Sequence, residues 1–215
     1  MAENTTRPEK IHLLAVAANA SIVALELVGS VMGFSNGLGL TNFKWYTVQS
    51  NVFALASSVA FLVSYLKHGG KIGYIAGMMR YIASCCLAVT FLTVIFVLAP
   101  MAAKTGEAAE VLWKGPQKFH HIICPLLTAV SFVFLEQGMS INRRRIAAAC
   151  MPTLAYAVVF IILNLLRVTD GPYPFLRVYK QPWFMSVIWF LIMSGVALGS
   201  AVLLGWLRER MGRKT

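Results

Sequence analysis

Two short stretches hold residues with the means to do chemistry. "WYTVQSN" (45–51) packs threonine, glutamine, serine and asparagine into the mouth of a long apolar run. "KFHHIICP" (118–125) places His120 and His121, two of only four histidines, in the first turn of another. A hydroxyl and an imidazole at one level of a helical bundle form a nucleophile and a general base. On a helix Thr47, Ser50, Asn51, Ala54 and Ser58 share one small, polar stripe, which must face protein or water because lipid offers no hydrogen-bond partner. Helix–helix hydrogen bonding, at about 0.6 kcal/mol per contact in membranes, is the competing account of that stripe. A capping or snorkelling role competes for the histidines. A metal site is not expected, because adjacent helical histidines diverge and no carboxylate follows at i+4.

A third polar stretch, "DGPYPFLRVYK" (170–180), has the glycine and prolines of a fixed turn. Two acids, Glu26 and Glu136, fall inside apolar segments, and an intramembrane acid is a functional candidate by default. Glu26 is expected toward the inner half of its helix, with Arg80 or a backbone amide as partner. Asn19 and Asn164 belong to the same ambiguous group.

The elements that must position these residues are membrane helices. The chain has 215 residues, 58% of them hydrophobic and only 13% charged, with apolar runs along its whole length. That patterning excludes a soluble globule and defines an all-α integral membrane protein. A bilayer core of about 30 Å takes roughly 20 apolar residues per helix. Six segments qualify, at about 11–33, 46–66, 81–100, 118–137, 146–166 and 183–206, forming one six-helix domain. The first is expected to be a retained helix rather than a signal peptide, since no small-residue cleavage pattern closes it.

The net charge of +11 does not imply nucleic acid, because the basic residues are distributed by loop. Twelve Lys and Arg fall at the N-terminus, the 67–80 loop, the 140s loop and the C-tail, against seven in the alternate connections. This bias predicts cytoplasmic termini; if the cell is bacterial, the expected location is its inner or plasma membrane. Anionic lipid then accounts for the basic runs. Short connections predict antiparallel neighbours. Gly29/Gly33, Gly69/Gly73/Gly77 and Gly195/Gly199 are spaced for close helix approach. Cys85, Cys86, Cys124 and Cys150 read as small buried apolar residues. No internal repeat supports a transporter with inverted halves, and no cofactor is implied. Oligomeric state is left open.

The ordered set "YTVQSN", "HHIICP", "MPTLAY" (151–156) and "GPYPFL" (171–176) resembles the six-helix membrane family that includes the androgen-induced protein, the androgen-dependent TFPI-regulating protein and many bacterial relatives. The resemblance covers roughly helices two to six. It implies an atypical threonine hydrolase acting on fatty acid esters of hydroxy fatty acids. Thr47 matches the family's nucleophile, and either His120 or His121 matches its histidine. The spacing to the following proline favours His120 by the animal pattern and His121 by the bacterial one, and the bacterial match is the better. Gln49, Ser50, Asn51, Tyr156, Asp170, Tyr173 and Arg177 are the expected substrate-binding residues. Asn51 or a freed backbone amide is expected to stabilise an oxyanion, and Arg177 to hold a free substrate carboxylate. Relatives carry an acid after "YPFL" where this chain has Arg177, and Asp170 is the candidate replacement. The expected partners are membrane lipids or a fatty-acid-ester substrate. The alternative is a non-catalytic protein that binds or transports a lipid or small solute in the same polar pocket.

Overall fold

The computed structural model describes residues 7–35, 39–136 and 139–212. Among them there are helices and turns and no strand. Six helices are long and apolar enough to cross a membrane: Lys10–Phe34, Tyr46–Lys67, Tyr74–Ala103, Lys118–Leu135, Arg143–Leu165 and Trp183–Met211. We name these α1, α2, α3, α5, α6 and α7, with α4 the short helix Ala108–Trp113 between the third and fourth spans. A 3-10 turn over Gly39–Lys44 leads into α2. The last span-to-span connection folds into two further 3-10 turns, Pro174–Leu176 and Val178–Lys180.

Three helix boundaries depart from the sequence expectation. The third span begins at Tyr74, seven residues before the expected 81, so Arg80 is a helical and fully buried residue. The sixth runs past 206 and buries Arg208. Apolar averaging ends a segment at its first charge, whereas a helix continues wherever that charge finds a partner inside the bundle. Asn142 caps α6 by accepting from the Arg145 N–H, so the basic triplet opens this helix. Residue 137, at the end of the fourth expected segment, and the basic residues Arg213 and Lys214 lie outside the described residues.

Arg80 and Arg208 are the reason for those extensions. Arg80 donates from Nε and one terminal nitrogen to Glu136 at 3.0 and 2.8 Å, and from the other to Ser58 and Ser57. Asn19 and Ser131 donate to the same carboxylate. Arg208 donates to the Phe132 carbonyl and lies over the Phe132 ring. This buried network ties α1, α2, α3, α5 and α7 together at the end of the bundle near the termini. It occupies Arg80, so Arg80 is not the partner of Glu26.

The opposite end is held by aromatic rings. Tyr46, Tyr156, Tyr173 and Phe175 form a buried cluster, with Tyr173 and Phe175 stacked at 5.2 Å. Asn164 ties the last connection to α6, accepting from the Val178 N–H and donating to the Thr169 carbonyl. The glycine pairs divide. Gly29 and Gly33 face His120 and Pro116, whereas Gly195 and Gly199 have open space where a Cβ would stand. Gly195 and Gly199 therefore do not serve packing within this bundle.

Candidate active site

The second helix begins at Tyr46, which puts Thr47 in its first turn, where backbone N–H groups have no intrahelical acceptor. Tyr173 supplies one. Its hydroxyl accepts from the Thr47 N–H at 3.2 Å and lies 3.2 Å from Thr47 Oγ. Gly171 makes this approach possible: a Cβ there would overlap the Leu176 carbonyl, so only glycine lets the 171–177 turn close. Burial pushes the Tyr173 phenol up from its ordinary range, with Thr47 acting the other way, so it stays a protonated donor at neutral pH.

The histidines occupy a widened turn. The helix winds in an i→i+5 pattern over Lys118–Ile123, and α3 does the same over Val94–Leu98. Pro125 and Pro100 follow these two segments and offer no N–H to the normal ladder. In this turn the two rings diverge. His120 lies against α1, with Nε2 3.6 Å from Glu26 Oε2. His121 turns to α4, its Nδ1 2.6 Å from the Val111 carbonyl. That carbonyl can only accept, so Nδ1 of His121 carries the proton and Nε2 is left as the basic nitrogen.

Thr47, His120, His121, Tyr173 and Arg177 line one cavity of about 570 Å³, with Trp45, Val111 and Pro172 among the other residues of its mostly apolar walls. A second, narrow cleft of about 40 Å³ lies between α3, α6 and α7 and shares Thr47, Tyr173 and Leu98 with the first. Thr47 thus stands where a wide, partly polar chamber meets an apolar one. The arrangement offers a hydroxyl nucleophile at a helix N-terminus, a phenol donor beside it and two imidazoles on the same cavity.

Several expected binding residues do other work. Asn51 spends its amide donors on the Thr47 carbonyl at 2.7 Å and the His120 carbonyl at 3.2 Å, so it is a strut between α2 and α5 rather than an oxyanion donor. Ser50 donates back to the Thr47 carbonyl and meets Thr90, and it lines neither cavity itself although Thr90 borders the narrow cleft. Gln49 reaches back to the Phe43 carbonyl. In each case an intrahelical or neighbouring backbone acceptor captures a short polar side chain, as happens at helix starts. Tyr156 donates to the Lys44 carbonyl and faces the narrow cleft. Arg177 lines the main cavity while its Nε holds the Gly171 carbonyl. Asp170 points elsewhere, pairing with Lys180 on the exposed face of the loop at 3.1 Å, so it does not replace the missing acid.

The site residue that sequence reading misplaced is Glu26. It lies about two-thirds of the way along α1, at the depth of His120 rather than of Arg80. The signal was present: Asn19, Glu26, Ser30 and Gly33 recur along one helical face, and the rise per residue fixes their depth. Among the described residues no group of three or more His, Cys, Asp or Glu has the arrangement of a metal site. The chain matches no protein-family model, no curated protein and no solved structure.

Proposed function

We propose that this protein is a multi-pass membrane hydrolase that cleaves a lipid ester through Thr47. The observation that carries the reading is one cavity lined by Thr47, Tyr173 and both histidines, with the Thr47 hydroxyl 3.2 Å from the Tyr173 phenol. Thr47 Oγ forms a bond to the acyl carbon while a histidine takes its proton. The carbonyl oxygen gains negative charge and accepts from the Tyr173 hydroxyl, whose donor stands beside Thr47 before substrate arrives. The ester C–O bond breaks, and the histidine returns its proton to the departing alcohol oxygen. Water then hydrolyses the Thr47 ester by the same route, releasing the acid.

The substrate fits as a fatty acid ester of a hydroxy fatty acid. Both its acyl chain and the remainder lie in the wide, mostly apolar cavity, where Arg177 meets the free carboxylate, the narrow cleft being too small for a chain. Both termini face the cytoplasm, and the site opens to the outer face of an inner or plasma membrane. With Arg80 and Arg208 buried, ten basic residues still stand against seven. A lipid reaches such a site sideways from the outer leaflet.

The test is covalent labelling of purified protein by a long-chain fluorophosphonate, followed by peptide mapping. The reading expects the adduct on Thr47. A binding protein with the same pocket would hold a lipid reversibly and take no adduct.

A further inference from the structure

We infer that Glu26 is the positioning carboxylate of this site and that it makes His120, rather than His121, the base that takes the Thr47 proton. This rests on the hydrolase reading above. Glu26 is 0% exposed, and its carboxyl oxygens have no nitrogen or oxygen donor within the protein, only the weakly donating Cys124 thiol beside them. Nε2 of His120 is likewise buried and unpartnered, and it faces Glu26 Oε2 at 3.6 Å. A fully buried acid without a strong donor is costly unless something it faces carries a proton. Catalytic hydrogen bonds are often long before substrate binds and tighten in the complex.

The seat for this contact is built. Gly29 lies one turn from Glu26, and a Cβ at that position would stand 2.7 Å from His120 Nε2. Only glycine lets the ring lie against α1 and reach the acid. Asn51 holds the backbone of the same histidine from α2. Around the pair, Cys124 on α5 lies beside Glu26, His121 is the titratable neighbour of His120, Ser30 on α1 lines the same cavity as His120, and Asn51 on α2 holds the His120 carbonyl. The buried cations Arg80 and Arg208 are both committed at the Glu136 end.

Charge decides between the two histidines. Either ring can present one basic nitrogen, Nε2 of His121 or Nδ1 of His120. Taking the Thr47 proton turns that ring into an imidazolium inside a low-dielectric bundle. His121 has only a carbonyl dipole to meet the new charge, whereas His120 has a carboxylate. In the acting form Glu26 is ionised and the His120 ring neutral, with its Nε2–H toward Glu26. The proton leaving Thr47 Oγ arrives on Nδ1 and makes the buried pair net neutral. Glu26 keeps its charge throughout, and the proton passes from Nδ1 to the departing alcohol oxygen.

The experiment crosses Glu26→Gln and Glu26→Asp with His120→Gln and His121→Gln in full-length protein in lipid nanodiscs. It reads kcat and KM for a long-chain p-nitrophenyl ester and the rate of Thr47 labelling by a fluorophosphonate, with thermal melts to establish folding. Glu26→Gln should lower kcat by about 10²-fold at unchanged KM, and Glu26→Asp should recover part of that loss. The Glu26→Gln effect should vanish in the His120→Gln background and persist in full in the His121→Gln background. Wild-type kcat in Glu26→Gln, or an equal loss in both histidine backgrounds, would overturn the assignment while leaving the hydrolase reading standing. A wild-type protein that neither hydrolyses the ester nor takes the label would overturn both.

Discussion

Replacing Gly29 by alanine adds one methyl group where α1 packs against the His120 ring. The new Cβ would stand 2.7 Å from His120 Nε2, 3.0 Å from its Cδ2 and 3.2 Å from the Phe119 Cβ. These are ring-edge and stem atoms rather than the far end of a flexible chain, so the ring or helix α1 must shift. Overpacking of this kind costs about 1–3 kcal/mol. For a chain of this size each kcal/mol moves the melting temperature by about 2–4 °C, so Gly29→Ala should melt roughly 2–12 °C below wild type. The matched control is Gly199→Ala, the same change at a glycine with open space around it, which should melt with the wild type. The assay is thermal unfolding of both variants in one detergent, with ester hydrolysis measured alongside. Hydrolysis should fall in Gly29→Ala alone, because displacing the ring breaks its approach to Glu26. Equal melting temperatures for Gly29→Ala and Gly199→Ala would refute the packing argument at His120.

Three other expectations follow from the same geometry. Tyr173→Phe removes the phenol beside Thr47 Oγ, and kcat should drop about 10²–10³-fold, as for loss of an oxyanion donor, with the fold retained; unchanged kcat would leave Tyr173 a packing residue. Arg80→Met leaves Glu136 with Asn19 and Ser131 and no cation hydrogen-bonded to it, Arg208 being committed to the Phe132 carbonyl, and should cost about 3–5 kcal/mol in a denaturation or thermal assay; a variant as stable as wild type would contradict the buried-pair account. In a background without native thiols, Glu107→Cys should react with an impermeant maleimide in intact cells and Ser140→Cys should not, and the reverse pattern would invert the topology.

The six spans were legible because a bilayer imposes length and composition together, and neither depends on tertiary partners. What escaped was settled by partners. Arg80 looked like a loop charge because its neutralising contacts come from Glu136, 56 residues away. Glu26 lies in the half of α1 opposite to the one expected, although the helical rise alone fixes its depth. Thr47 and the two histidines could be picked from residue type and from the resemblance, but not the divergence of their rings, which depends on a widened turn ahead of Pro125. Asn51 and Ser50 looked free in the sequence because nothing in it shows that the Thr47 carbonyl would capture both. Asp170 and Arg177, seven residues apart in one loop, end on opposite sides of it through the tight turn at Gly171.

The most direct test of the account is Thr47→Ala beside Thr47→Ser, purified and assayed with a long-chain ester in lipid. Thr47→Ala removes one hydroxyl and a methyl at a helix start, so the protein should remain folded with the cavity intact. It should lose ester hydrolysis and fluorophosphonate labelling together, while Thr47→Ser, which keeps the nucleophile, should retain measurable activity. Hydrolysis by Thr47→Ala at the wild-type rate would contradict the account and leave the polar residues at the start of α2 as helix-packing groups.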